Sequence, residues 1–177
     1  MIQETLTSLK DFILQYNTYF RQGFDNVYLD ETTGIVEAGK PVFPNDTLGN
    51  YFYLRLPSVS TFDYNPVAAI SDCSNTPLLV SDVTLVACVL DSDHDRLMAN
   101  LMNTISSFNA NARFTQCRFR SEDVVLAELA RMPAEKRTAA LARIGKHTII
   151  SVTFSLAVNF QLRSVKKADC ILDPCKC

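Results

Sequence analysis

Hydrophobic side chains fall on every second position near the C-terminus: Ile150, Val152, Phe154, Leu156, Val158, Phe160 and Leu162. Between them stand Ser151, Thr153, Ser155, Ala157, Asn159 and Gln161, all small or polar. Successive side chains of a strand point to opposite faces, so Thr148 to Leu162 is predicted as one strand with an apolar and a polar face. A one-residue slip would turn the whole apolar row to solvent, which pins the register. At about 3.3 Å per residue the strand spans roughly 45 Å, more than twice the usual length. It is expected to overhang its own sheet and meet a neighbouring chain.

The period changes elsewhere. Ile2, Leu6, Leu9, Ile13, Tyr16 and Phe20 recur at spacings of four and three, the stripe of a helix laid on a sheet and ended near Gly23. Residues 26–50 hold short extended pieces between Gly34, Gly39, Pro41, Pro44 and Gly49, predicting a hairpin or an arm. Tyr51 to Leu56 is a strand closed by Pro57, and Ser58 to Pro77 a loop long enough to bind or reach something. Leu78 to Leu90 is a second long strand, apolar on both faces and so central and covered. Asp91 or Ser92 caps a helix to about Phe108 whose stripe is Leu97, Leu101, Ile105 and Phe108, padded by Met98 and Met102. A shorter strand, Arg113 to Arg120, sets Thr115, Cys117 and Phe119 against Gln116, Arg118 and Arg120. A helical insert over 121–147 follows: one helix capped by Ser121 with Val125, Leu129 and Met132 inside, then one from Pro133 with Ala139, Leu141 and Ile144 on its apolar side.

These elements predict an α+β fold: a mainly antiparallel sheet with long strands, an N-terminal helix and a central helix against it, and the helical insert. A length of 177 residues with 47% hydrophobic and 20% charged side chains fits one folded domain, residues 1–165, followed by a cysteine-bearing tail, 166–177. There is no run of 18 apolar residues, so no membrane-spanning helix is expected. The start, MIQETLTSLK, lacks the basic and apolar regions of a signal peptide, and synthesis in a cytoplasm is expected. Net charge is only −2 but unevenly placed: residues 1–112 hold 13 acids and 5 Lys or Arg, residues 113–177 hold 6 acids and 12 Lys or Arg. Such halves are either ordinary solvated faces or complementary patches that steer copies together head to tail. The basic residues are spread over helix, strand and tail, which speaks against a sequence-specific nucleic-acid site.

Candidate chemistry is thin. Asp91 to Asp95 imitates a calcium loop, but Arg96 and Met102 occupy the positions that need Gly and Glu. Gly145-Lys146-His147-Thr148 echoes the end of a phosphate loop, but Ala140 replaces its first Gly and the helix-to-strand order is reversed. Cys170, Cys175 and Cys177 offer three soft ligands, with His94 or His147 as a fourth, at a spacing that matches no common zinc site. With Cys73 they are alternatively candidates for disulfides, or lie in a free tail. No nucleophile–base signature, cofactor loop or metal motif is present, so neither an enzyme nor a cofactor is expected.

From Leu78 onward the order is long strand, amphipathic helix, short strand, helical insert, long alternating strand. With the leading helix and hairpin region, this resembles the tail-terminator and tail-completion proteins of tailed bacteriophages. The resemblance lies in element order over about residues 75–165. It implies a virion protein that forms a ring, usually of six copies, capping the tail tube and joining it to the head connector. Partners would then be further copies, the tail-tube protein and connector proteins. The segments 26–50 and 58–77 would clasp neighbours, and Arg118, Arg120, Arg131, Arg137 and Arg143 would face acidic ones. Disulfides among Cys73, Cys170, Cys175 and Cys177 would fasten the ring after the virion leaves its host. Another connector or a baseplate adaptor shares the pattern. A ligand-binding α+β domain with its pocket under the 58–77 loop is the alternative from a different class.

Overall fold

Two strands of 13 residues each, paired along their whole length, carry the fold. The computed structural model describes residues 2–56, 61–63, 78–90, 93–110, 112–144 and 147–159. In chain order the elements are α1 (Ile2–Tyr16), β1 (Gln22–Phe24), β2 (Tyr28–Asp30), β3 (Gly34–Glu37), β4 (Lys40–Phe43), β5 (Tyr51–Arg55) and β6 (Thr61–Asp63). There follow β7 (Leu78–Leu90), α2 (His94–Phe108), β8 (Arg113–Arg118), α3 (Ser121–Glu128), α4 (Ala134–Ala142) and β9 (His147–Asn159). The main sheet runs β1-β5-β7-β9-β8, with β6 also on β7; only the β1–β5 pairing is parallel. A separate antiparallel sheet is formed by β2, β3 and β4. This is an α+β fold with a mainly antiparallel sheet and an N-terminal helix.

The alternation in β9 sorts the two faces. Ile150, Val152, Phe154 and Leu156 are buried beside Val83, Leu85, Ala87 and Val89 of β7, and α1 and α2 cover this face through Leu6, Leu9, Ile13, Leu97, Leu101 and Ile105. Burying each such side chain contributes about 1.5–3 kcal/mol relative to leaving it in water. The other face has its own core. Ile35, Val42 and Phe43 of the small sheet and Val124, Val125, Leu129 and Met132 of the insert close over Tyr51, Tyr53, Val86, Cys88 and Ile149. The insert therefore covers part of this second face, beside the small sheet.

Several expectations are corrected. The long strand does not run bare beyond its sheet: β7 matches it residue for residue, Leu78 opposite Asn159 and Leu90 opposite His147. Only its other side is short of partners, since β8 pairs with Ser151–Ser155 alone. Its predicted end at 160–162 lies outside the described residues. Helix α1 stops at Tyr16, because Asn17 turns its side chain to the Tyr19 N–H and to Asn100 instead of continuing the helix. Gly23 lies in β1, where a Cβ would come within 2.5 Å of the Phe52 ring. Of the hairpin or arm expected over 26–50, the hairpin forms and is no free arm: its small sheet packs Ile35, Val42 and Phe43 into the chain's own core and is tied to the end of β1 by Glu37, which accepts from the Asp25 and Asn26 N–H groups at 3.2 and 2.9 Å. Of the 58–77 loop, 61–63 form β6; 58–60 and 64–77 are outside the described residues.

Cap and phase assignments shift too. Asp93 caps α2, its side chain accepting from Asp95 N and Arg96 N. Ser121 does not cap α3; its Oγ accepts instead from the Ile149 N–H at 3.0 Å, tying the helix start to β9. A bulge between Phe114 and Gln116 changes the phase of β8, so Phe114 and Cys117 meet the core while Thr115 and Phe119 are exposed. In α4 the buried alanine is Ala140, and Ala139 is exposed.

Candidate functional site

The sheet order separates the five arginines singled out from sequence. Arg118 ends β8 at one edge of the main sheet, half-buried, and the exposed Arg120 follows it. Arg131 is exposed in the turn after α3, and Arg137 is half-buried on α4. Arg143 lies elsewhere: it lines a narrow crevice with Phe43, Pro44, Asn45, Tyr51 and His147, against the chain's own small sheet. Arg118 and Arg120 thus share an edge with Arg113, and Arg143 does not belong to that surface. Cys73, Cys170, Cys175 and Cys177 lie outside the described residues. The described thiols, Cys88 and Cys117, are free, and among the described residues no three His, Cys, Asp or Glu side chains gather as a metal site.

Beneath α3 lies a polar cluster that the sequence reading missed. Glu128 is almost wholly buried, its side chain 1% exposed, although it sits on a helix face with Val124, Val125 and Leu129. Its Oε1 accepts from Arg55 Nη2 at 2.8 Å, and its Oε2 from the Tyr53 hydroxyl at 3.0 Å. Tyr53 and Arg55 alternate on β5 and so reach the same face. Burial, reinforced by the Glu128 charge, pushes the Tyr53 hydroxyl well above the ordinary tyrosine value. Burial likewise pushes Tyr51 up, and the Cys88 thiol up to about 12, against the opposing hydrogen bond from Tyr51. An acid interrupting the Val124–Leu129 apolar run was the available signal for this cluster.

Past the insert the same sheet face opens. Thr84 and Thr153 are half-buried and joined through their hydroxyls at 3.1 Å, Ser155 is half-buried, and Asp82 is exposed. Arg55 borders this strip on β5 and Gln116 on β8, both on the row that runs through Thr84 and Thr153. Thr153 and Ser155 of β9 are thus the floor of a strip that stays partly open among the described residues, while Ser151 lies buried.

A surface cleft of about 320 Å³ lies between α3, α4 and the start of β9, lined by Ser121, Glu122, Leu141, Ile144 and His147. His147 braces the surrounding backbone: Nδ1 lies 3.2 Å from Ile144 O and Nε2 3.0 Å from Gly49 O. Both ring nitrogens face main-chain carbonyls, to one of which a neutral ring donates, and Ser121 Oγ accepts from the Ile149 N–H. The sequence matches no protein-family model, and no curated protein sequence is significantly similar to it.

Proposed function

We propose that the chain is a structural protein of a tailed-bacteriophage virion, assembling as a ring of six copies that ends the tail tube and joins it to the head connector. The observation that carries this reading is the β7–β9 ribbon, two 13-residue strands that run past β5 and β8 at the Leu78–Asn159 end, where β6 lines the β7 side and no described strand lines the β9 side. A paired ribbon of that length suits a beam between neighbours better than a wall around a small ligand. Both edges of the main sheet, β1 and β8, lack a further strand among the described residues. The charge split along the chain suits the head-to-tail contacts from which rings are built. The work proposed is assembly: one face of the ring stops tube growth and the other offers a docking surface, with no bond made or broken. Deleting the gene from its phage is the test. Filled heads lacking joined tails, or tails of unregulated length, are expected; normal infectious particles would overturn the assignment.

In the same reading, Cys73, Cys170, Cys175 and Cys177 fasten the ring once particles reach an oxidising medium. Non-reducing electrophoresis of intact particles is expected to show bands above the monomer, and monomer alone would remove this element. The cleft beside Ser121 and His147 favours a second reading, a domain that binds a small polar molecule. A strict monomer whose melting temperature rises on adding such a molecule would favour that reading over the ring.

A further inference from the structure

Two exposed aromatic side chains stand at opposite ends of the molecule, each beside charges of one sign. Phe119 is 47% exposed and sits between Arg118 and Arg120, just past edge strand β8. Tyr28 is 53% exposed on β2, the edge strand of the small sheet, and is followed by Asp30 and Glu31. Strand β2 belongs to the β1 end, because only Asp25 to Val27 separate the two strands, and β1 is the edge opposite β8. Strand β4 lies inward, since the residues that follow it, Pro44 and Asn45, meet Arg143 and His147.

The charge around each aromatic extends beyond its neighbours. Residues 22–37, which hold β1, β2 and β3, carry four acids and no Lys or Arg, with one of the acids, Asp25, paired to Lys10; residues 113–144, which build β8 and the insert, carry seven bases and four acids. One of these last four, Glu128, is already neutralised by Arg55. Asp30 is half-buried and held ionised: the hydroxyl of Thr32, then the N–H groups of Thr32 and Thr33, bond its carboxylate and keep it well below the usual carboxylate range.

We infer that the Arg118–Phe119–Arg120 edge of one copy docks on the Tyr28–Asp30–Glu31 edge of the next. This rests on the ring reading above and names the contact that would build it. Aromatic and arginine side chains are the usual anchors of protein interfaces, and opposite charges around them fix the orientation. The two patches differ, so the contact is heterologous and repeats head to tail until the rotation closes it. Backbone pairing is not the means: the bulge at Thr115 and the arginines along β8 blunt that edge against added strands. The contact is made by side chains.

The test uses the full chain with Phe119→p-benzoylphenylalanine, irradiated at a concentration where it self-associates, with the cross-linked peptides identified by mass spectrometry. Cross-links from position 119 to residues 26–33 of another copy are expected. Arg118→Glu with Arg120→Glu is expected to weaken self-association by at least about tenfold, with circular dichroism and melting temperature unchanged. Pairing that variant with a Glu31→Lys copy is expected to restore part of the lost association. An assembly that persists with cross-links elsewhere, or that ignores both reversals, would overturn this contact and leave the ring reading standing. A chain that stays monomeric at every concentration would overturn both.

Discussion

Glu128 shows how a single side chain can hold two layers together. It hangs from α3, yet its partners Tyr53 and Arg55 belong to β5, so the pair pins the insert to the sheet. Arg55 keeps 39% of its side chain exposed, and water softens what it loses when its partner goes. Glu128→Ala is therefore expected to cost roughly 2–3 kcal/mol in urea denaturation, and Tyr53→Phe about 1 kcal/mol. A Glu128→Ala chain as stable as the parent would contradict the pinning role. A pH effect follows from the neighbouring thiol. Cys88 holds its proton up to about 12, against an ordinary 9.0, because burial disfavours the thiolate. The native state thus keeps a proton that the unfolded chain releases, so stability is expected to fall as pH rises from about 9 toward 12. Tyr51 and Tyr53 are shifted in the same direction and extend the decline. Thermal melts at increasing pH check this, and Cys88→Ala is expected to make the onset shallower.

At the scale of elements, stability is expected to concentrate in the β7–β9 ribbon. Hydrogen exchange measured by mass spectrometry should find the amides of Val83–Val89 and Ile150–Phe154 slowest, with β8, α3 and α4 opening first. Equal protection of α4 and β9 would contradict that hierarchy. These elements also show what the sequence could reveal. The strict alternation of β9 is legible because one face must be wholly apolar to meet α1 and α2. The same logic foretold the stripe of α2, of which Leu97, Leu101 and Ile105 are buried. The phase of β8 was not legible, since a bulge is a pairing event and leaves no mark on six residues read alone. The cap at Ser121 failed similarly: a serine before a helix signals a local bond, but its hydroxyl is taken by Ile149, 28 positions away. Residues 26–50, rich in turn formers, allowed a hairpin or an arm; the hairpin forms, Tyr28 opposite Val36, but only the folded chain shows it turned inward, Phe43 closing on Tyr53 at 5.6 Å between ring centroids. The polar cluster around Glu128 needed the β5 register, which no local pattern supplies.

For the whole molecule, the sheet order turns a charge gradient along the chain into a gradient across the body. Strand β1 with its acidic surroundings stands at one edge and β8 with its arginines at the other. Opposed charges on opposite ends favour growth in one direction, and salt screens them over about 10 Å at 0.1 M. Self-association is accordingly expected to weaken as sodium chloride is raised, while the fold, held by its two cores, persists. Native mass spectrometry of the full chain across concentration and salt tests the central claim most directly. The account predicts one closed oligomer, of six copies, that dissociates to folded monomer at high salt. A monomer at every concentration, or an open series of sizes that never closes, would contradict it.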